Sequence, residues 1–167
     1  MADETVRDDG SRILVLGDGE RDRELVAERL DERHEVVADD PEGDWGRVDL
    51  CIVDAATYRS VTSRLAASRR ESVAYLPVLL LVPDRGGGRG DDWVAEALSG
   101  PVDDVLVVPA PRQEFDARAE ALLRVRRQSV RLSLYRHGMD EADIGITISD
   151  PGREDNPLVY VNERFLE

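Results

Sequence analysis

The sequence predicts a doubly wound α/β domain, in which helices cover both faces of a parallel β-sheet. Short apolar runs without polar alternation recur along the chain, which is typical of strands buried on both sides. Segments of good helix formers separate these runs, and glycine, proline and aspartate mark the loops between them. Because a helix that joins two parallel strands crosses one face of the sheet, this alternation indicates a parallel sheet.

The predicted elements can be placed in order along the chain. We expect strands at residues 13–16, 35–38, 50–53, 77–82 and 105–108, and helices at 22–30, 58–70, 91–98 and 113–137. In the first helix, Leu25, Val26 and Leu30 should share the face that packs on the sheet. This order of elements favours a flavodoxin-like fold with a five-stranded sheet.

The last of these helices is predicted to continue as a connector, over residues 113–138. Its start, from Phe115 to Leu123, should pack on the sheet, whereas Val125, Leu132 and Met139 follow near-heptad spacing beyond it. A coiled coil with a second copy of the chain is one interpretation of this second half, and the short repeat with polar Ser129 and Arg136 counts against it.

A different pattern begins near residue 139. Residues 144–149 alternate like a half-exposed strand, residues 150–152 open a turn, and residues 158–161 supply an antiparallel partner strand. The predicted organisation is a disordered N-terminus (1–11), an α/β domain (12–127), a final helix that continues as a connector (113–138) and an incomplete α+β fragment (139–167).

The composition excludes several classes of function. The net charge is −14, and all 22 basic residues are arginine. An acidic surface repels phosphate backbones and anionic lipid, so we expect this segment to bind neither nucleic acid nor membranes. The single cysteine, Cys51, leaves no partner for an internal disulfide. The longest apolar run, residues 73–83, is too short to cross a bilayer and no signal-peptide pattern opens the chain, so a cytoplasmic location is expected.

Two acids follow strands at the predicted binding edge of the sheet. Asp18 comes after the first strand and Asp54 ends the third, and the carboxyl ends of these strands should bring both side chains together. Two carboxylates can hold Mg²⁺, and a carboxylate beside that ion can accept a phosphoryl group. The alternative is that both are loop or capping acids in a very acidic chain.

Residues 12–127 resemble a response-regulator receiver domain. The resemblance rests on ILVLGD with Asp18, on DLCIVD ending at Asp54, on PVLLL, and on DDVLVVP. It implies that Asp54 is the phosphoacceptor and that Asp18 is one of two acids that bind Mg²⁺.

The departures from this family indicate a degenerate site. Gly17 stands where the family has its first acid, Val82 replaces a Thr or Ser, Val108 replaces a lysine, and Val105 replaces an aromatic residue. Each lost hydrogen bond to a charged group is worth about 1.5–3 kcal/mol. We therefore expect a pseudo-receiver that binds partners and is not an enzyme. The alternative is a working phosphoacceptor at Asp54 in a two-component phosphorelay.

Residues 139–167 resemble the opening of a PAS domain, close to the flavin-binding LOV subgroup. The stretch DNPLVY is the most telling part, and the resemblance implies that Tyr160 lies on a strand and that Asn162 hydrogen-bonds the backbone of the next helix. Cys51 lies outside this segment, so the fragment does not establish light sensing and does not identify a flavin or another ligand.

Together these segments resemble sensory regulators of halophilic archaea, either bacterio-opsin activator-like proteins or PAS histidine kinases. The expected partners are a sensor kinase or other signalling domains, with a homodimer through the connecting helix as one arrangement. The output, a DNA-binding helix-turn-helix or a kinase, is left open.

A third class, a nucleotide-binding enzyme, has little support. Gly17-x-Gly19 lacks the third glycine of a dinucleotide loop, since Asp22 stands there, and the loop 85–90 lacks the lysine of a P-loop. His34 and His137 show no ligand spacing and are expected at the surface.

Overall fold

The computed structural model describes residues 10–30, 33–38, 45–84 and 91–166. The predictions for the N-terminal residues up to 9 and for the loop at 85–90 lie outside these residues. The chain divides into two compact units, Met1–Arg127 and Gln128–Glu167. Within the described residues, no helix is long and apolar enough to span a membrane.

The first unit contains a five-stranded parallel sheet, as predicted. Its strands are β1 (Arg12–Leu16), β2 (Glu35–Ala38), β3 (Leu50–Asp54), β4 (Val78–Pro83) and β5 (Asp104–Val108). Their order in the sheet is β2-β1-β3-β4-β5, and all four neighbouring pairs are parallel. This is the flavodoxin-like fold of receiver domains, in which the strand order reverses beside β1 and β3.

The helices follow the predicted alternation. They are α1 (Glu20–Leu30), α2 (Ala55–Glu71), α3 (Asp91–Leu98) and α4 (Arg112–Asp140), with a 3₁₀ turn at Trp45–Arg47. Helix α2 begins three residues before its predicted start because Asp54 caps it. An aspartate at the N-cap satisfies backbone N–H groups that the first turn leaves unpaired.

Side chains alternate between the two faces of the sheet and so build two cores. The core under α2 contains Leu14, Leu16, Cys51, Val53, Val78, Leu80, Tyr58, Val61 and Leu65. The core under α4 contains Ile13, Val15, Leu50, Ile52, Leu79, Leu106, Phe115, Ala119, Leu122 and Leu123. The expected packing of Phe115 to Leu123 on the sheet is therefore confirmed.

Two sequence-based expectations about exposure are wrong. Leu25 is half-exposed, whereas Val26 and Leu30 of α1 pack against the sheet. His34 is not a simple surface residue, since its Nδ1 atom is buried without a hydrogen-bond partner within the described part of the chain. Burial lowers the pKa of His34, so the neutral imidazole is favoured.

The second unit contains an antiparallel hairpin of β6 (Thr147–Ser149) and β7 (Leu158–Val161), followed by the short helix α5 (Glu163–Leu166). The turn before β7 uses two left-handed residues, Asp155 at φ 65° and Asn156 at φ 47°. Aspartate and asparagine adopt this conformation more readily than other residues with a Cβ. The predicted partner strand is confirmed, whereas β6 begins later than the alternation of residues 144–149 suggested.

Candidate functional site: the crevice around Asp54

The carboxylate of Asp54 connects two backbone segments. Its Oδ1 accepts a hydrogen bond from the N–H of Thr57 at 2.6 Å, which caps α2. Its Oδ2 accepts from the N–H of Asp18 at 2.8 Å, which holds the loop after β1. Both oxygens therefore have a structural role, and each bond is charge-assisted and worth more than a neutral one.

Asp18 lies where the strand order predicts, next to Asp54. Its side chain is exposed, and its backbone makes the bond to the Asp54 carboxylate. Among the residues the structure describes, no cluster of three or more His, Cys, Asp or Glu side chains could hold a metal ion. Asp18 and Asp54 are the carboxylates that would hold Mg²⁺, an ion that one or two protein carboxylates and several waters can bind.

Gly17 is buried between the two groups that shape the crevice. A Cβ atom at this position would lie 3.1 Å from Asp54 Oδ2 and 3.1 Å from Arg23 Cγ. An acidic side chain here, which the resemblance to receiver domains would lead one to expect, would bring a second carboxylate against Asp54. The glycine therefore fits the present arrangement of Asp54 and Arg23.

Arg23 is a crevice residue that the sequence analysis did not identify. It lies on α1, and its Nη1 donates to the carbonyl oxygen of Gly17 at 2.6 Å. The open crevice has a volume of about 340 Å³. The residues that line it are Gly17, Asp18, Arg23, Ala56, Thr57 and Ser60. The sequence offered one indication of this position. Arg23 stands six residues after Gly17, in the helix that follows β1, and so near the predicted binding end of the sheet.

The three valines at positions where the chain departs from the receiver pattern pack against the cores. Val82 and Val105 are partly buried against the core under α2, and Val108 is partly buried against the core under α4. Methyl groups thus occupy the positions where the family has a hydroxyl, an aromatic ring and an ammonium group. They supply neither a donor nor a charge to a phosphoryl group.

A second polar cluster lies at the opposite, amino-terminal edge of the sheet. Arg126 of α4 is only 6% exposed. Its Nη1 donates to the carbonyl oxygens of Ala74 at 2.7 Å and Tyr75 at 3.1 Å, and its Nε donates to Asp49 Oδ1 at 3.3 Å. Asp49 Oδ2 in turn accepts from the N–H of Arg12 at 3.0 Å. A buried arginine therefore joins α4 to β1 and to the loop before β4.

The same loop is held from its other side by Arg69 of α2. The Nε of Arg69 donates to the carbonyl oxygen of Leu76 at 3.1 Å, and its guanidinium pairs with Asp103. Asp103 also accepts from the N–H of Val78 at 2.8 Å and from the Tyr75 hydroxyl. Burial and the bond to Asp103 raise the pKa of Tyr75 to about 12. Two arginines thus bind three consecutive carbonyl groups.

Neither Arg126 nor Arg69 was singled out from the sequence. The chain contains 22 arginines, and the local sequence does not show which of them are buried. Arg126 and Arg69 bind backbone carbonyl groups that come near them only in the folded chain. Asp104, the second acid of the motif Asp103-Asp104, is held by an arginine of α4. The Nη1 atom of Arg118 donates to both of its carboxylate oxygens, each at 2.8 Å.

In the second unit, Asn162 is the buried polar residue that orders the hairpin. Its Oδ1 accepts from the N–H groups of Ile146 at 2.8 Å and Phe165 at 3.2 Å. Its Nδ2 donates to the carbonyl oxygens of Met139 and Ile144, each at 2.9 Å. The expected bond to the backbone of the following helix is present, and all four hydrogen-bonding positions of the amide are used.

Comparison with known proteins supports a receiver-like domain. The response regulator PleD of Caulobacter vibrioides is 35% identical over 125 residues, which cover 71% of this chain and 27% of PleD. The chain therefore aligns with only about a quarter of that relative. No family model matches the chain.

Solved structures with low sequence identity share the fold. NtrX from Brucella abortus aligns with a TM-score of 0.63 at 19% identity and covers 85% of this chain and 32% of its own. A response regulator receiver protein from Burkholderia phymatum has a TM-score of 0.52 at 17% identity, covering 68% of this chain and 94% of its own. These likenesses agree with the strand order of the first unit, and the receiver-like class follows from fold and relative together.

Proposed function

We propose that this chain is a regulatory signalling module, a pseudo-receiver coupled through α4 to a sensor domain, and that it acts by binding protein partners. The observation that carries the proposal is the double use of Asp54, whose two oxygens hold the start of α2 and the loop after β1. A carboxylate used in this way supports the fold of the crevice whether or not a phosphoryl group is ever transferred.

The chemistry around Asp54 supports the same proposal. A phosphoryl group on Asp54 would need cations and donors to neutralise its charge. The positions of the family's hydroxyl and lysine are filled by Val82 and Val108, which pack against the cores. The guanidinium of Arg23 bonds the Gly17 carbonyl. We therefore assign no catalytic step to the crevice.

Mg²⁺ is the one cofactor that the crevice residues suit. Asp18 and Asp54 would hold it, and in a working receiver it would supply positive charge to an incoming phosphoryl group. With a single pair of carboxylates and no lysine in the chain, we propose that any such binding is weak and does not lead to phosphorylation.

The output would pass through α4. Arg126 fixes one turn of this helix to Asp49 and to the loop before β4. A switch needs two discrete packings of the helix, and rotation about this anchor supplies a physical route between them. Sensor kinases or other signalling domains in the cytoplasm are the proposed partners.

We propose that residues 139–167 begin a PAS domain. An isolated two-stranded hairpin is marginally stable in water, so its apolar side chains need further structure to cover them. Ile144, Leu158, Phe165 and Leu166 are all more than half exposed. If the reading frame continues past Glu167, expressing the longer chain and measuring its absorbance for a bound chromophore tests this proposal.

The pseudo-receiver proposal is tested by incubating the chain with Mg²⁺ and acetyl phosphate and measuring its intact mass. A working receiver domain is the positive control, and Asp54→Ala is the control for the site. We expect no added phosphoryl group under conditions that modify the positive control. A phosphoryl group that appears on the native chain and is lost in Asp54→Ala would instead establish the alternative, a phosphoacceptor.

That alternative has one observation in its favour. Arg23 and Asp18 both line the crevice beside Asp54, so a cation and a second acid are within the same cavity. If the mass experiment detects phosphorylation, Arg23→Ala should abolish it, whereas loss of an exposed arginine such as Arg59 should not.

A further inference from the structure

The second half of helix α4 carries a stripe of mainly apolar residues, two of them large and exposed. Gln128, Leu132, Tyr135 and Met139 are spaced four, three and four residues apart, so they lie along one face of the helix. Leu132 is 67% exposed and Tyr135 is 53% exposed. We call these four residues the outer stripe.

The stripe is distinct from the face that packs in the first unit. That buried face of α4 contains Phe115, Ala119, Leu122 and Arg126. Val125, seven residues before Leu132, is exposed, although the adjacent Arg126 is buried. Neighbouring residues are about 100° apart around a helix, so the two faces point in different directions.

The outer stripe is basic at its borders. Between Gln128 and Met139 the sequence contains two arginines, Arg131 and Arg136, and no acid, in a chain whose net charge is −14. With Leu132 and Met139 at position a of a heptad, Arg131 takes position g and Arg136 position e, one on each side of the stripe. Arg131 lies along the stripe, because its Nε donates to the Tyr135 hydroxyl at 2.6 Å.

This charge pattern disfavours a second copy as the occupant. In a parallel coiled coil, position g of one helix faces position e of the other, five residues further on. Arg131 would therefore face Arg136 of the copy, and the symmetry would repeat this repulsion. Gln128 would also place an amide in the centre of the seam.

We propose that the outer stripe binds an acidic amphipathic helix of another protein. Leucine or isoleucine side chains of that helix would cover Leu132, Tyr135 and Met139, and its glutamates would pair with Arg131 and Arg136. Helices commonly dock by laying such an apolar face against another, while flanking charges choose the partner. The inference goes beyond the proposed function and does not depend on the chemistry of Asp54.

A designed peptide tests the proposal with the complete chain. The probe is a fluorescent helix of about three heptads with leucine at a and d and glutamate at e and g. The matched control has lysine at e and g. We expect anisotropy titrations to show at least tenfold tighter binding of the glutamate peptide, with affinity falling as salt screens the charges.

Variants locate the binding surface on α4. Leu132→Glu should abolish binding of the glutamate peptide, whereas Leu134→Glu should not. Leu134 is 58% exposed on the same helix, but it lies about 200° around the axis from Leu132. Arg131→Glu should reverse the preference toward the lysine peptide. Circular dichroism of each variant checks that the fold is kept.

Four results would overturn the proposal. The first is equal binding of the two peptides, and the second is binding of neither. The third is sedimentation of the native chain as a dimer that Leu132→Glu dissociates, which would assign the stripe to a second copy. The fourth is capture of the chain by phosphatidylserine vesicles in a manner that Leu132→Glu abolishes, which would assign it to a membrane.

Discussion

The carboxylate of Asp54 lies 2.8 Å from the backbone nitrogen of Asp18, and the same carboxylate caps α2 through Thr57. The β1–α1 loop and the start of α2 are thus held by one side chain. At the position that the resemblance to receiver domains assigns to the phosphoacceptor, the carboxylate therefore connects two elements. The stability of the crevice should therefore depend on Asp54.

Replacing Asp54 should destabilise the protein. Asp54→Ala removes the cap and the tether to Asp18, and we expect a loss of about 1–2 kcal/mol in the free energy of unfolding. Asp54→Asn keeps one oxygen acceptor and should lose less. Urea denaturation measures both, with Glu71→Ala, an exposed acid at the end of α2, as the control. A gain in stability for Asp54→Ala would contradict the structural role of this carboxylate.

Replacing Gly17 by alanine should destabilise the protein. In Gly17→Ala the new Cβ would lie 3.1 Å from Asp54 Oδ2 and 3.1 Å from Arg23 Cγ. Overpacking of this kind costs about 1–3 kcal/mol. Gly138→Ala is the matched control, because a Cβ there has no neighbour within 4 Å, and alanine in a helix should stabilise by about 0.5–1 kcal/mol.

The coupling between Gly17 and Asp54 can be measured directly. If the crowding involves Asp54, Gly17→Ala should cost less in an Asp54→Ala background than in the native chain. A double-mutant cycle by urea denaturation should give a coupling of about 0.5–1 kcal/mol. Additive effects of the two substitutions would show that position 17 is constrained by Arg23 alone.

Arg126 should contribute more to stability than its neighbour Arg127. Arg126→Met keeps the apolar stem but leaves Asp49 and the carbonyl groups of Ala74 and Tyr75 without their donor. The loss should be about 2–3 kcal/mol, below the range for a fully buried pair because the Asp49 side chain is 33% exposed. Arg127→Met removes an exposed pair with Glu120 and should change stability by less than about 0.5 kcal/mol. Thermal and urea unfolding measure both variants. If Arg126→Met and Arg127→Met lowered the free energy of unfolding equally, the anchoring role of Arg126 would be ruled out.

Cys51 should be unreactive in the folded protein. Burial raises the pKa of its thiol from 9.0 to about 12, so almost no thiolate exists at pH 8. A disulfide reagent such as dithionitrobenzoate should label Cys51 only after denaturation. Rapid labelling of the native chain would contradict the complete burial of Cys51.

The same shift predicts how stability depends on pH. Above pH 9.0 the unfolded Cys51 thiol loses its proton, whereas the folded thiol keeps it, so the folded state binds more protons. The free energy of unfolding should therefore fall as the pH rises from 9.0 to about 12. Tyr75, whose pKa rises from 10.0 to about 12, acts in the same direction. Cys51→Ala and Tyr75→Phe should each flatten the stability profile in this window, as measured by urea denaturation at fixed pH values.

Much of the fold was predictable from local patterns. Short apolar runs marked the strands because both faces of a parallel sheet are buried, and their alternation with helices indicated a parallel sheet of flavodoxin-like type. The proximity of Asp18 and Asp54 also followed, since both residues stand at the carboxyl ends of neighbouring strands. Element ends were less predictable. The early start of α2 depends on the cap by Asp54, which the spacing of apolar residues does not reveal.

The sequence by itself determined the parallel α/β domain, the position of the two crevice acids and the absence of lysine. Only the tertiary structure decided that Asp54 holds two backbone segments, that Arg23 lies beside it, and that Arg126 anchors α4. The physical reason is that apolar periodicity reports which face of an element is buried, whereas the partner of a charged side chain is set by contacts between residues far apart in the chain. Arg126 and Asp49, 77 residues apart, are joined in this way.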